Sequence, residues 1–149
     1  MPTLLIVHHT PSPFMQGMLE AVVSGANHED IDGVDVVVRP ALAATASDVV
    51  SADGYLLGTP ANLGYMSGAL KHFFDQIYYP VLEATRKRPY AAYVHGNEGV
   101  EGALRAIEGV TTGLGWQRVA EALTVLGEPG KEDLESCAEL GATVAVGLA

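Results

Sequence analysis

The sequence predicts an α/β domain, a five-stranded parallel sheet in order 2-1-3-4-5 with helices on both faces. Three observations predict it. Strand-like and helix-like stretches alternate from end to end of the 149 residues. The strand-like stretches are short and nearly continuously apolar, as expected when both faces of a parallel sheet are covered. Finally, right-handed crossovers leave two common strand orders, and five strands suit this one better than the longer alternative.

The first strand is Thr3–His8. The stretch after it, "HHTPSPFMQGM", opens a helix near Pro13 or Phe14, with Ser12 as the natural N-cap. Proline suits the first helical turn, where its missing N–H would have no intrahelical partner. Met15, Met18, Leu19 and Val22 then recur with helical spacing. The second strand is Val34–Arg39, and the small-residue stretch Ala41 to Ala52 is the weakest helix of the chain. The third strand, Gly54–Gly58, runs into a long loop reaching Ser67. Ser67 caps a helix carrying Leu70, Phe73, Phe74 and Ile77, which Pro80 ends or kinks. The fourth strand is Tyr90–His95, and its helix carries Val100, Leu104, Ile107 and Val110. The fifth strand is Val119–Val125, followed by a helix with Leu134, Ala138, Gly141, Ala145 and Leu148 on one face. Cys137 falls within that last pattern and reads as a small buried core residue.

Bulk properties narrow the function. The length suits one domain spanning residues 1–149. A net charge of −10 argues against nucleic acid as the main partner, because a polyanion binder needs a basic face. It leaves a small phosphate ligand open, since helix N-terminal N–H groups bind anions without Lys or Arg. A single cysteine excludes an intramolecular disulfide and a cysteine-cluster metal site. His8 and His9 are neighbours on a strand and point to opposite faces, so no metal is expected there. No apolar run approaches a membrane span, and Thr3–Val7 lacks the flanks of a signal peptide. No membrane insertion and a cytoplasmic location are the expectations.

In a sheet of this order, ligands bind beyond the carboxyl ends of the strands where the order reverses, between the first and third. Three loops share that edge. After the first strand, Thr10 and Ser12 bring hydroxyls to a helix start. Two readings are open there, a phosphate cradle and an ordinary capped turn. After the third strand, Pro60, Asn62 and Gly64 allow unusual backbone, and Leu63, Tyr65 and Met66 stand between them. The span from Gly58 to Ser67 exceeds a plain strand-to-helix connection and suits a planar ring with polar edges. After the fourth strand, His95, Gly96, Asn97 and Gly99 form another polar, glycine-rich loop. Glu98 and Glu101 read as solvated charges at a helix start.

The run "GTPANLGYMSGALKHFFDQI", residues 58–77, resembles the flavin-ring loop and following helix of flavodoxin-like NAD(P)H-dependent FMN reductases and quinone reductases. The resemblance extends over the whole chain and implies a flavodoxin-like three-layer sandwich that binds FMN. By position it implies that Thr10, Ser12, Pro13, Phe14 and Met15 face the phosphate. Pro60, Ala61, Asn62, Leu63, Gly64 and Tyr65 match the flavin-ring loop, and His95, Gly96, Asn97 and Gly99 the loop at the pyrimidine edge. Lys71, Phe74 and Asp75 belong to the diagnostic helix and read as structural. Pro13 departs from the pattern, standing where flavodoxins usually have glycine, while the N–H groups of Phe14 and Met15 are expected to remain available.

The resemblance implies an oxidoreductase passing electrons from NAD(P)H through FMN to a quinone-like or other small acceptor. His95 and Tyr65 are the candidate proton donors, with no obligatory acid or nucleophile. The alternative from another class is a flavodoxin-type electron carrier without enzymatic turnover, whose acidic surface would dock basic redox partners. Related reductases often form dimers or tetramers, so a homo-oligomer is open. Tyr78, Tyr79 and Trp116 would serve either such a contact or the core.

Overall fold

The computed structural model describes residues 1–149. Its elements run β1 (Thr3–His8), α1 (Pro13–Ala26), β2 (Asp35–Pro40), α2 (Ala46–Ser51), β3 (Gly54–Asn62) and β4 (Tyr65–Met66). They continue with α3 (Gly68–Val81), β5 (Pro89–Gly96), α4 (Val100–Leu114), β6 (Gln117–Arg118), β7 (Leu123–Leu126) and α5 (Lys131–Leu148). The long strands stand in the order β2-β1-β3-β5, with β6 and β7 both pairing in parallel with the far edge of β5. Counted as long strands this is the expected 2-1-3-4-5.

Side chains alternate across the sheet and so build two cores. Leu4, Ile6, Leu56, Ala91 and Tyr93 face one side, where Met15, Met18 and Val22 of α1 and Cys137, Val144 and Ala145 of α5 cover them. Leu5, Val7, Tyr55, Leu57, Ala92 and Val94 face the other, under Val49 of α2, Phe73, Phe74 and Ile77 of α3, and Ile107 of α4. Each Leu, Ile, Val, Met or Phe among them, taken fully out of water, contributes on the order of 2 kcal/mol. Trp116 belongs to this second core. It stacks on Tyr55 with ring centroids 4.1 Å apart and donates Nε1–H to Thr85 Oγ1 at 2.9 Å. Tyr79, in contrast, is left exposed.

Three expectations need correction. The third strand does not stop at Gly58 but runs on to Asn62, and the expected long loop is a hairpin to β4. Pro60 is tolerated because β1 pairs with β3 only as far as Gly58, leaving one edge of β3 free beyond it. The fifth strand, expected as one run over Val119–Val125, is broken into β6 and β7. Tyr90 pairs with Arg118 and Tyr93 with Leu123. Two residues separate the first of each pair and four the second, so two extra residues loop out between β6 and β7. On α4 the buried face is Val100, Ala103, Ile107, Thr111 and Leu114, while Leu104 and Val110 sit only partly buried beside it. Elsewhere the expected helices hold. Ser12 and Ser67 cap α1 and α3 through Met15 N–H and Leu70 N–H, both at 3.2 Å. A Thr45–Asp48 capping box starts the short α2, and α3 ends one residue past Pro80.

Candidate functional site

At the carboxyl edge of the sheet, β3 outruns β1 and turns back on itself at Leu63 and Gly64. Both turn residues have positive φ, 51° and 72°, the backbone of a two-residue hairpin turn whose twist matches its strands. Glycine adopts this freely, whereas leucine does so under strain. Leu63 nevertheless projects wholly into solvent. Thr59, fully buried, fastens the base of the hairpin. Its Oγ1 accepts from Ser67 N–H at 3.0 Å and donates to the Pro60 carbonyl at 2.8 Å.

The turn rests on the start of α4. A Cβ on Gly102 would collide with the Gly64 carbonyl, and one on Gly99 would come within 2.8 Å of Gly64 Cα. Two backbones therefore meet where no side chain fits. Beside this contact Ala61, Leu63, Gly64, Asn97, Glu98 and Gly99 line an open cleft of about 490 Å³. The N–H groups of Leu63, Gly64, Asn97, Glu98 and Gly99 bond to nothing else in the chain. The cleft thus pairs apolar walls with unspent backbone donors.

At the start of α1 the arrangement differs. His8 Nδ1 lies 2.7 Å from Thr10 Oγ1, joining the two side chains. Burial, with a smaller contribution from His9, holds His8 below the usual histidine value and favours the neutral ring. Ser12 Oγ accepts from Met15 N–H, and the Met15 side chain is fully buried. The expectation that Met15 N–H is available therefore fails: the cap consumes it. Pro11 and Pro13 carry no N–H, which leaves those of Thr10, Ser12 and Phe14 without partners in the chain. The Phe14 ring meets His95 edge-on, centroids 5.7 Å apart. His95 in turn donates Nε2–H to the Gly127 carbonyl at 2.7 Å, which assigns its proton.

The structure thus brings Ala61, Leu63, Gly64, Asn97 and Gly99 to one cleft, and Phe14 to His95. Pro60 is buried within β3, and Gly96 is buried at the end of β5. Asn62 and Tyr65 flank the turn as an exposed pair, Tyr65 about two-fifths exposed and outside the cleft lining. Thr10 and Ser12 lie at the α1 end instead, bonded locally. Sequence reading missed Thr59, Gly102 and Gly127. The Thr and Gly types before and after the loops were visible, but their partners are set by tertiary contacts. Cys137 is buried and its thiol is pushed up to about 11, so it stays protonated and is no nucleophile. No group of three or more His, Cys, Asp or Glu side chains is placed to hold a metal ion. No helix is long and apolar enough to cross a membrane.

Residues 15–128 match the family described as NADPH-dependent FMN reductase. The chain belongs to that family. Members of the NADPH-dependent FMN reductase family are FMN-binding oxidoreductases with a flavodoxin-like fold, and the sheet and helix layers found here are that fold. A flavodoxin of Aquifex aeolicus is 34% identical over 77 residues, which are 52% of this chain and 40% of that protein. The match therefore spans less than half of the curated relative. Among solved structures, a flavodoxin from the domain Archaea superposes with a TM-score of 0.82 at 21% identity, over 98% of each chain. A WrbA-like flavodoxin from Agrobacterium tumefaciens does so at 0.80 and 21%, over 97% of this chain and 96% of that one. Oxidised flavodoxin 1 from Bacillus cereus gives 0.80 at 18% identity, over 99% of both chains. At such identities the likeness is one of fold.

The cleft fits the ring of the flavin that this family binds. A flat heteroaromatic group with a polar edge needs apolar walls and donors at its rim, and Ala61, Leu63 and the free N–H groups offer both. The α1 end fits the phosphate less well, with two prolines and one capped N–H among its six residues from Thr10 to Met15.

Proposed function

We propose that this chain is an NAD(P)H-dependent flavin oxidoreductase, passing electrons from NAD(P)H through FMN to a quinone-like or other small acceptor. One observation carries the reading. In a member of the NADPH-dependent FMN reductase family, the hairpin turn and the Asn97–Gly99 segment enclose an open cleft with free backbone donors. Bound FMN would supply hydride transfer between donor and acceptor. The protein's part is placement. The backbone contact of Gly64 on Gly99 and Gly102 fixes the cleft width. The N–H groups of Leu63, Gly64 and Asn97–Gly99 would stabilise negative charge at the ring edge. Ala61, only partly exposed, would give one wall its apolar surface. An open cleft leaves room for donor and acceptor to enter in turn.

Of the two candidate proton donors, His95 has Nε2–H committed to Gly127 and keeps Nδ1, while the Tyr65 hydroxyl has no partner in the chain. Tyr65 therefore has the freer proton, although it stands outside the cleft lining. The electron-carrier reading stays beside this one on a single observation, the match to the Aquifex aeolicus flavodoxin. A turnover experiment separates them. Chain loaded with FMN is mixed with NADH or NADPH and a benzoquinone, and nicotinamide oxidation is followed by absorbance. Catalytic turnover supports the reductase. Reduction stalling below one equivalent would leave the carrier.

A further inference from the structure

The two ends of the flavin site lie on different loops, and a ligand spanning both needs a fixed distance between them. The ring end is built from the β3–β4 hairpin and the Asn97–Gly99 segment after β5. The other end is the start of α1. There the N–H groups of Thr10, Ser12 and Phe14 have no partner in the chain, and the Ser12 hydroxyl, which accepts from Met15 N–H, keeps its own proton to give. Free N–H groups at a helix N-terminus suit a phosphate. The Thr10 and Ser12 side chains bond to His8 and Met15, within β1 and α1, and so do not fix this end against the cleft.

His95 makes that link. It stands two residues before Asn97 and projects from the same face of β5 as Tyr93, whose ring lies in the core beneath α1 and α5. The His95 ring meets Phe14 edge-on, the planes at 63° and the centroids 5.7 Å apart. Its Nε2–H donates to the Gly127 carbonyl at 2.7 Å, and Gly127 N–H donates to the Gly96 carbonyl at 3.1 Å. The turn after β7 is therefore bonded to the end of β5 through both polar groups of one residue. An imidazole held at its far nitrogen cannot turn freely, so the surface it offers Phe14 is set. Phe14 is itself one of the residues with a free N–H. The helix-start donors and the cleft are thus joined through one side chain.

We infer that His95 is a positioning residue of this site: it sets the distance between the start of α1 and the ring cleft, so that the phosphate of FMN reaches the free N–H groups while the ring is seated. The inference rests on the reading of the cleft as a flavin site. In this role His95 needs no contact with the ligand. Its effect passes through Phe14, and Gly127 keeps its ring in place.

The test compares two ligands that differ only in the phosphate. The full chain and its His95→Ala variant, its folding checked by thermal unfolding, are each titrated with FMN and with riboflavin. Quenching of flavin fluorescence gives each Kd. One hydrogen bond to a charged group is worth about tenfold in affinity. The preference of the wild type for FMN over riboflavin should therefore fall by about tenfold in the variant, with riboflavin itself changed by less than about threefold. Equal weakening of both ligands would mean that His95 only supports the fold, and overturns the inference. An unchanged preference, or a wild type with no preference to lose, overturns it as well. If the wild type quenches neither flavin, the flavin reading itself fails and takes this inference with it. Phe14→Ala cuts the same contact from the other side and keeps the backbone N–H. It should reproduce the loss, and the double variant should be no worse than either single one. Losses that add would show that the two residues act separately, against the inference. Should His95→Ala not fold, His95→Gln, which keeps a donor for Gly127 but no ring for Phe14, decides by the same ratio.

Discussion

The hairpin after β3 and the loop after β1 share one sheet edge, yet they are made rigid in opposite ways. In the hairpin the backbone itself is shaped. Leu63 and Gly64 take left-handed conformations, and the turn lies directly on Gly99 and Gly102 with no side chain between. Its turn N–H groups, those of Leu63 and Gly64, make no hydrogen bond within the chain. In the loop, rigidity comes from proline rings and from polar groups bonding one another, His8 to Thr10 and Ser12 to Met15. The second device uses one N–H, that of Met15, and its prolines lack two, which leaves those of Thr10, Ser12 and Phe14 free. Two connections of similar polarity thus offer a ligand different things.

The largest way to break the comparison is Gly102→Ala. Its Cβ would enter the space of the Gly64 carbonyl, a backbone atom that cannot swing aside, so hairpin or helix must move. A cost of about 3 kcal/mol is expected in urea unfolding, together with weaker quenching of added flavin. A neutral result would show that the hairpin is loosely seated. Thr59→Val comes next. It keeps the shape but strands the buried Ser67 N–H, at about 2 kcal/mol. Both substitutions should spare the α1 loop, so the His8–Thr10 pair serves as an internal reference for damage confined to the hairpin.

The sheet order and both helical layers were legible because they follow from apolar periodicity, which tertiary context did not override. Thr3–His8 and the α1 stripe of Met15, Met18, Leu19 and Val22 came through unchanged. The hairpin was not legible as a hairpin. Pro60, Asn62 and Gly64 signal a loop in any window, and only the early end of β1 reveals that a strand carries on through Pro60. Similarly, the two extra residues between β6 and β7 are invisible until both segments are registered against β5. At the site, the residue types of the cleft were readable from Gly, Asn and Pro clustering. The spent state of Met15 N–H was not, since it depends on which N–H the Ser12 cap selects.

Leu63→Asn sharpens the comparison in the other direction. Asparagine tolerates the left-handed region, and the Leu63 side chain is fully exposed, so strain is relieved with no packing lost. About 1 kcal/mol of added stability, or about 3 °C in Tm, is expected. If flavin quenching weakens at the same time, the strained leucine is retained for its contact with the ligand. A lower Tm would mean that the turn is not strained.

The smallest effect lies at the α1 end and depends on pH. Burial first, and His9 second, depress the His8 pKa below its ordinary 6.5 in the folded chain. Between the two values the unfolded chain therefore binds more protons than the folded one, and stability rises with pH through that window. In the acid direction, the contribution of His8 begins to be lost as pH falls through 6.5 and goes on falling towards the depressed value. His8→Gln removes the titrating group while keeping a polar partner for Thr10. Comparing Tm at about pH 7.5 and about pH 5.5, the wild type should lose more than the variant. Because the hairpin contains no histidine, Gly102→Ala should keep the wild-type pH dependence on its lowered baseline. Equal losses in wild type and His8→Gln would show that the His8–Thr10 pair does not stiffen the loop through a neutral ring, and would leave the two prolines and the Ser12 cap to fix it.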